Sequence, residues 1–262
     1  MTGFNSSLAD VTATILAGGL GTRLRPVMAD RPKVLADVLG RPFLTFLLDH
    51  LQAAGVRRVV LCTGYKGEQV QAAFGDSYGS LCLAYSHESS PLGTGGALRA
   101  ALPLFEADSI LVMNGDSFCE TDLRVFWNWH CAREADATLL LTKVSDTTRY
   151  GRVVVDAHDH ILRFDEKAPG TGPGWINAGI YLISRTLVQT IPRSRAVSLE
   201  RETFPAWIGQ GFCAYPSEGR FLDIGTPEAY AAADLFFGSP HKPIRQAVAP
   251  ERQRSSRGLA SG

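Results

Sequence analysis

The chain has 262 residues, 26 Lys+Arg balanced by 26 Asp+Glu, with 45% hydrophobic and 20% charged residues. Those proportions exclude a disordered chain and suit a single globular domain with a large core. Zero net charge excludes the bulk basic field of most nucleic-acid binders. No stretch approaches the roughly 20 apolar residues of a membrane-spanning helix, so neither nucleic acid nor membrane is an expected partner.

A short apolar run over 11–17 (VTATILA) ending in Gly-Gly predicts a buried strand that opens into a loop. From Pro42, FLTFLLDHLQAAG places Leu44, Leu47, Leu48 and Leu51 on one helical face and stops at Gly55. Strands follow over 57–63, 81–86 and 109–114, alternating with helices over 66–74, 95–102 and 123–135. In the last of these helices Trp127 and Cys131 stack one turn apart. Such alternation predicts an α/β fold with a doubly wound, mostly parallel central sheet. After Ala137 the pattern changes. Strands over 137–144, 152–156, 161–166 and 175–183 are separated only by turns, which predicts mixed or antiparallel pairing. Helices over 185–191 and 199–208, strands over 212–215 and 219–222, and a helix over 227–236 complete the body, with Thr226 as the last N-cap.

From Gly238 the text is proline-rich and basic, five Lys or Arg against Glu251 alone, and reads as a flexible tail. The domain is therefore expected over 1–237, with the change of pattern dividing it into halves at about 11–135 and about 136–237, and the tail at 238–262. The first ten residues carry no Lys, Arg or apolar run, so no signal peptide is expected. Cys62, Cys82, Cys119, Cys131 and Cys213 include no CxxC pair. They read as reduced, buried thiols of a cytoplasmic protein rather than zinc ligands.

The densest chemistry follows the first strand: Leu16, Ala17, Gly18, Gly19, Gly21, Thr22 and Arg23. Glycines there let backbone N–H groups approach an anion, and Arg23 adds a charged fork. A P-loop would need Gly-Lys-Ser/Thr where Thr22-Arg23-Leu24 stands, and a dinucleotide G-x-G-x-x-G from Gly19 fails at Leu24. That failure argues against a nicotinamide-dependent oxidoreductase. Asn114-Gly115-Asp116 closes the strand SILVMN, at the carboxyl end where open α/β sheets bind ligands. A carboxylate at that place suits Mg²⁺, which is held by one or two carboxylates together with phosphate oxygens.

The stretch LAGGLGTRLRPVMADRPKVLADVLGRPFL resembles the opening motif of the sugar-1-phosphate nucleotidyltransferases, or nucleoside-diphosphate-sugar pyrophosphorylases. It departs from that motif at 34–37, where the family's second proline would fall. The resemblance continues to about Phe237 and implies a Rossmann-like, GT-A-like nucleotidyltransferase fold. It also implies attack of a sugar 1-phosphate on the α-phosphorus of a nucleoside triphosphate, with Mg²⁺ as cofactor and pyrophosphate released. By this resemblance Arg23 grips the triphosphate, Lys33 holds the α-phosphate, and Asp116 and Asp223 hold the metal. Gly93 and Thr94, in PLGTGGAL, lie against the base and ribose, and Thr94 is expected to cap the helix that follows. Tyr150-Gly151, Phe164-Asp165-Glu166-Lys167 and Asn177-Ala178-Gly179-Ile180-Tyr181 match the sugar-phosphate subsite. There Lys167 would neutralise the sugar phosphate, and Glu166, Asn177 and Gly151 would meet sugar hydroxyls. The wording PLGTGG and DIGTP is most similar to guanylyltransferases acting on D-glycero-D-manno-heptose 1-phosphate or cyclitol 1-phosphates. GTP is thus the expected nucleotide, with UTP, dTTP and CTP as alternatives, and a homodimer the expected assembly. A non-catalytic nucleotide-sugar sensor on the same fold is the rival reading, against which Arg23, Lys33, Asp116, Lys167 and Asp223 are all present.

Overall fold

The computed structural model describes residues 7–19, 21, 24, 28, 30–165, 172–193 and 195–239. Strand β1 (Thr12–Ala17) runs buried into Gly18. The short strands β2 (Asp37–Val38) and β3 (Arg41–Pro42) lead to α1 (Phe43–Ala54), which ends at Gly55. Next come β4 (Arg58–Thr63), α2 (Gly67–Phe74), β5 (Ser77–Tyr78), β6 (Leu81–His87), α3 (Gly93–Ala101) and β7 (Ser109–Asn114). Then β8 (Ser117–Cys119) and α4 (Leu123–Ala132) close the alternating half. The remainder holds β9 (Ala137–Val144), β10 (Arg152–Val155), β11 (Ile161–Asp165), β12 (Gly174–Ser184) and α5 (Arg185–Thr190). It ends with α6 (Phe204–Trp207), β13 (Phe212–Ser217), β14 (Phe221–Asp223), α7 (Pro227–Ala231) and α8 (Ala233–Gly238).

The main sheet runs β11-β10-β12-β7-β1-β4-β6-β5, with β9 on β12 and β13 on β9. Strands β7, β1, β4 and β6 are parallel, and β12 joins β7 antiparallel, so the mixed character expected after Ala137 is present. From β1 the chain builds outward through β4 and β6, then returns to place β7 on the other side of β1. The order therefore reverses between β1 and β7, and an open α/β sheet binds its ligand outside the strand ends at such a switch point. A separate two-stranded sheet pairs β14 with β8 just beyond that point.

Why the sheet is covered on both sides is written in its alternation. Val59 and Leu61 of β4 pack with Leu44, Leu47 and Leu48 of α1 and Phe126 of α4. Val60 and Cys62, their neighbours in sequence, pack with Leu98 of α3, Val188 of α5 and Phe204 of α6. Successive side chains of a strand point to opposite faces, so an unbroken apolar strand needs a helical layer on each.

Several boundaries differ from expectation. Helix α4 stops at Ala132, because the chain turns at Glu134 (φ 48°) to enter β9. The helix expected over 199–208 opens as a π-turn, Leu199–Thr203, with Thr203 N–H donating to the Ser198 carbonyl at 3.1 Å. Pro205 follows; it lacks an N–H and crowds the turn before it, so a regular ladder cannot continue. The helix over 227–236 breaks at Ala232 into α7 and α8, which lays Phe236 and Phe237 against Phe118 with ring centroids 6.1 and 5.0 Å apart. Gly238, expected to begin the tail, is the last residue of α8, and residues 240–262 lie outside the described ones. Of the thiols expected to be buried, Cys62, Cys119 and Cys213 are, whereas Cys131 is half-buried and Cys82 is exposed on β6. Among the described residues no helix is long and apolar enough to cross a membrane.

Candidate active site

At the switch point, the ends of β1 and β7 open a cleft of about 490 Å³. Leu16, Ala17, Gly18 and Gly19 form one wall, and Asn114, Gly115 and Asp116 the other. The walls are tied together by Gly115 N–H, which donates to the Leu16 carbonyl at 3.0 Å. Gly93 and Thr94, at the start of α3, cover the cleft, and Lys33 enters from a single 3₁₀ turn, Lys33–Leu35. Ten of the residues singled out from the sequence thus meet around one space. Gly21 is described but does not line it, and Thr22 and Arg23 lie outside the described residues.

Lys33 is mostly buried, and its Nζ donates to Oδ2 of Asp116 at 2.8 Å. Asp223 arrives from the small sheet, whose register sets it opposite Ser117, the neighbour of Asp116. Ile224 N–H donates to the Asp116 carbonyl at 2.9 Å, so the two acidic residues lie on adjoining chain segments. Burial first, and then the Asp116 charge, pushes the Asp223 carboxyl above the usual range, while Lys33 pulls it back. Oδ1 of Asp223 also accepts from Gly225 N–H at 2.6 Å. It therefore serves the turn before α7 as well as the acidic pair.

The roof of the cleft differs from expectation. Thr94 is not a helix cap: α3 begins one residue earlier, with no side-chain cap on it. Its Oγ1 instead donates to Oε2 of Glu200 at 2.9 Å and accepts from Leu199 N–H at 2.8 Å, clamping α3 to the π-turn. Gly93 is required where it stands. It has φ 71°, and a Cβ there would lie 2.5 Å from the Val197 carbonyl oxygen. Side chains prefer other backbone regions and cannot enter occupied space.

A second cavity, of about 410 Å³, adjoins the first and shares Asn114 and Glu200 with it. Tyr150, Gly151 and Asn177 line it, as expected, together with Asp165, Ser198 and Arg201. Asn177 is held rigidly: its Nδ2 donates to the Tyr181 hydroxyl at 2.9 Å and its Oδ1 accepts from Gly179 N–H at 2.7 Å. On the shared wall, the buried Oδ1 of Asn114 has no hydrogen-bond partner among the described residues. A buried polar atom left unpaired is costly, so this one is suited to a donor on a ligand. Glu166 and Lys167 lie outside the described residues.

Sequence reasoning missed four polar lining residues. Glu200 is 106 residues from its partner Thr94, a separation that carries no local signal. Ser198 and Arg201 belong to the π-turn, where Ser198 Oγ accepts from Arg201 N–H at 3.2 Å. Their only trace is the Ser-x-x-x-Glu start of a helix. Glu88 was also overlooked. It follows β6, lines the cleft, and accepts from Leu92 N–H at 2.8 Å through Oε2. Its Oε1 lies so near Gly18 that a Cβ there would collide with it.

Fold, switch-point cleft and adjoining cavity define a Rossmann-like α/β protein with neighbouring ligand spaces. Residues 12–239 match the family described as nucleotidyl transferase. The chain is 39% identical over 239 residues to a mannose-1-phosphate guanylyltransferase of Mycobacterium tuberculosis, covering 89% of this chain and 67% of that one. It is 34% identical over 222 residues to a D-glycero-alpha-D-manno-heptose 1-phosphate guanylyltransferase of Aneurinibacillus thermoaerophilus, covering 84% and 96%. The crystal structure of HddC from Yersinia pseudotuberculosis superposes with a TM-score of 0.78 at 35% identity, covering 87% of this chain and 99% of that one. The chain belongs to the nucleotidyl transferase family, among its sugar-1-phosphate nucleotidyltransferases. Enzymes of this class move a nucleoside monophosphate from a triphosphate to a sugar 1-phosphate, forming a nucleoside-diphosphate sugar.

Proposed function

We propose that the chain transfers GMP from GTP to a heptose, hexose or cyclitol 1-phosphate with the help of Mg²⁺, releasing pyrophosphate. The observation that carries this reading is the pair of adjoining cavities with Asn114 and Glu200 on their common wall. A transfer between two phosphates needs the donor's α-phosphorus and the acceptor's oxygen side by side, and proximity can supply much of the rate. In this reading residues 11–135 serve mainly the nucleotide and 136–237 mainly the acceptor, with Glu200 reaching back across. Tyr150, Gly151 and Asn177 would orient the acceptor's hydroxyls, and Asn114 Oδ1 would take a ligand donor at the boundary. Lys33 would meet the α-phosphate with donors left over from its bond to Asp116. The acceptor phosphate oxygen forms the new bond to phosphorus as the bond to the leaving pyrophosphate breaks, and no proton needs to be removed from an ionised phosphate.

Support for GTP comes from Glu88. Guanine presents two adjacent donors, N1–H and the 2-amino group, and a carboxylate is their natural acceptor. Glu88 offers one within the cleft, steadied through Leu92 N–H. The relatives point the same way, both being guanylyltransferases by name, and HddC has been crystallised with GMP-PN.

The donor set fits a magnesium ion. Asp116 and Asp223 bring two carboxylates to adjoining segments, and among the described residues no group of three or more His, Cys, Asp or Glu gathers to satisfy a metal alone. That is the pattern for Mg²⁺, which takes few protein ligands and completes its shell with phosphate oxygens and water. When bound, the ion would offset charge on the phosphates. The test is a matrix of GTP, UTP, dTTP and CTP against heptose, mannose and cyclitol 1-phosphates, with pyrophosphate release as the readout. Turnover with GTP and at least one of these acceptors is expected. Preference for another nucleotide overturns the guanylyl assignment, and no turnover in any cell of the matrix overturns the reading as a whole.

A further inference from the structure

A different face of α3 from the one over the cleft borders another concavity, of about 270 Å³. Leu92, Gly96 and Arg99 form one side, and Arg193 and Arg195 the other. Nε of Arg99 donates to the Ile191 carbonyl at 3.2 Å, which fixes the guanidinium while its terminal amino groups make no hydrogen bond among the described residues. Burial and the charge of Arg193 both push the Arg99 pKa down. Arg195 is compensated by Glu202 at 2.7 Å. Arg99 and Arg193 form no ion pair among the described residues; Arg57, Arg149, Arg152, Arg185 and Arg201 form none either, but Arg99 and Arg193 border one concavity and the charge of Arg193 acts on Arg99. Two like charges held close without a counter-charge are a standing cost that an anion would relieve.

The same segment is tied to the nucleotide loop. Val197 N–H donates to the Leu92 carbonyl at 2.8 Å, and the Val197 carbonyl accepts from Gly95 and Gly96 N–H at 2.9 and 3.3 Å. Immediately beyond it, Ser198, Glu200 and Arg201 line the second cavity. Whatever fixes Arg193 and Arg195 therefore acts on a strap bonded to both ligand spaces.

We propose that this arginine-lined concavity is an additional anion site, that it takes a small phosphate dianion, and that its occupation stiffens the strap and tightens nucleotide binding. Guanidinium forks match phosphate oxygens in charge and geometry. Two uncompensated charges call for a dianion, and a monocarboxylate would leave one standing. The space is little more than half that of the nucleotide cleft, which favours inorganic phosphate or a small monoester over a nucleotide.

The test is calorimetry on the full chain at constant ionic strength, with inorganic phosphate in one arm and glycerol phosphate in the other. Wild type is compared with Arg99→Gln/Arg193→Gln and with Arg193→Gln alone, the latter altering only an exposed side chain. Lys33→Ala separates phosphate bound in the cleft from phosphate bound here. The double variant should bind phosphate about tenfold or more weakly, as expected for loss of charge-assisted bonds, and Lys33→Ala should keep this component. Binding by the first arm alone would mean free phosphate, and binding by both would mean that monoesters are accepted. Equal binding of phosphate by wild type and both arginine variants overturns the site. Coupling is read as the nucleotide KM, which should fall with phosphate in wild type and not in the variants, while kcat without phosphate stays within about twofold. An unmoved KM overturns the coupling. Only this KM arm rests on the proposed nucleotidyl transfer; the binding arm stands or falls without it.

Discussion

Substituting Glu88 with Gln tests the assignment of the base. In the structure Oε2 of Glu88 accepts from Leu92 N–H at 2.8 Å and Oε1 lies against the backbone of Gly18 at the edge of the cleft. A glutamine can keep the bond to Leu92 through its carbonyl oxygen, so the loop after β6 should stay in place. What changes is the other atom, from an acceptor to an NH₂ donor facing guanine's own donors. One charge-assisted bond is lost and a donor opposes a donor, together about 2–3 kcal/mol, or a 30- to 150-fold drop in kcat/KM for GTP. Folding should not suffer. Burial already pushes the Glu88 carboxyl above its ordinary range, so ionising it costs stability as pH rises, and glutamine removes that cost. The assay is pyrophosphate release at fixed acceptor with GTP, ITP and UTP. ITP lacks the 2-amino group and should be the poorer substrate for wild type, while the variant should discriminate between GTP and ITP far less. Uracil pairs an N3–H donor with a neighbouring carbonyl, which an amide can match, so UTP should gain relative to GTP. If kcat/KM for GTP stays within about threefold of wild type and the GTP to ITP ratio does not move, Glu88 does not read guanine.

Asp223→Asn should abolish most turnover, yet leave thermal stability at pH 7.5 equal or higher. Its raised carboxyl pKa means that the ionised form opposes folding, and Asn can still accept from Gly225 N–H; a large fall in Tm would contradict this. Removing divalent cations with EDTA should stop pyrophosphate release and Mg²⁺ should restore it, whereas activity that survives chelation would exclude the metal role. Gly93→Ala should cost about 1–3 kcal/mol through its positive φ and the Val197 carbonyl, seen as a lower urea midpoint and a higher nucleotide KM; unchanged values would refute the packing argument. His130 is buried and its pKa is pushed down to about 4 from 6.5, so the unfolded chain binds a proton that the folded chain refuses. Its contribution is complete above pH 6.5 and is lost as pH falls toward 4, about 2–3 kcal/mol by pH 4.5. His130→Gln should flatten that part of the urea-midpoint profile, and an unchanged acid limb would show that other groups set it.

The parallel half of the fold was legible because its apolar strands and amphipathic helices each declare themselves within a dozen residues. The glycine loop after β1 and the Asn-Gly-Asp after β7 could be placed at strand ends, and the topology then brings those ends together. Contacts made over long separations left no such mark. Thr94 looks like an N-cap because a small hydroxyl residue precedes an apolar helical run. Its hydroxyl is instead engaged by Leu199 and Glu200, and no local pattern could announce that. The turns between the later strands announced antiparallel pairing, but the place of β12 beside β7 was equally hidden. An unbroken apolar strand fits either neighbour, and the choice is made by the register that carries Ile180 to Met113. Glu88 sits in a polar loop where a glutamate would ordinarily be solvent-exposed, and only the proximity of Gly18 turns it into a site residue.

The balanced charge of the chain conceals an arrangement that bears on how it could bind phosphates at all. Among the described residues lining the cleft, Lys33 is the one cation, and it is already paired with Asp116, while Glu88 and Glu200 add two further carboxylates. A triphosphate entering that space meets net negative charge. Binding thus depends on positive charge that the described lining does not supply. On the proposed reading Arg23 is one source in the sequence, and a divalent cation held by Asp116 and Asp223 would be the other. Each acid has a separate use on this reading: Asp116 and Asp223 for the cation, Glu88 for the base, Glu200 for clamping Thr94 and the strap. An acidic cleft favours the metal-bound nucleotide over the free one, because the free polyanion is repelled where the complex is partly neutralised. Under the proposed function, the acidity of the cleft would then select the metal-bound form of the substrate.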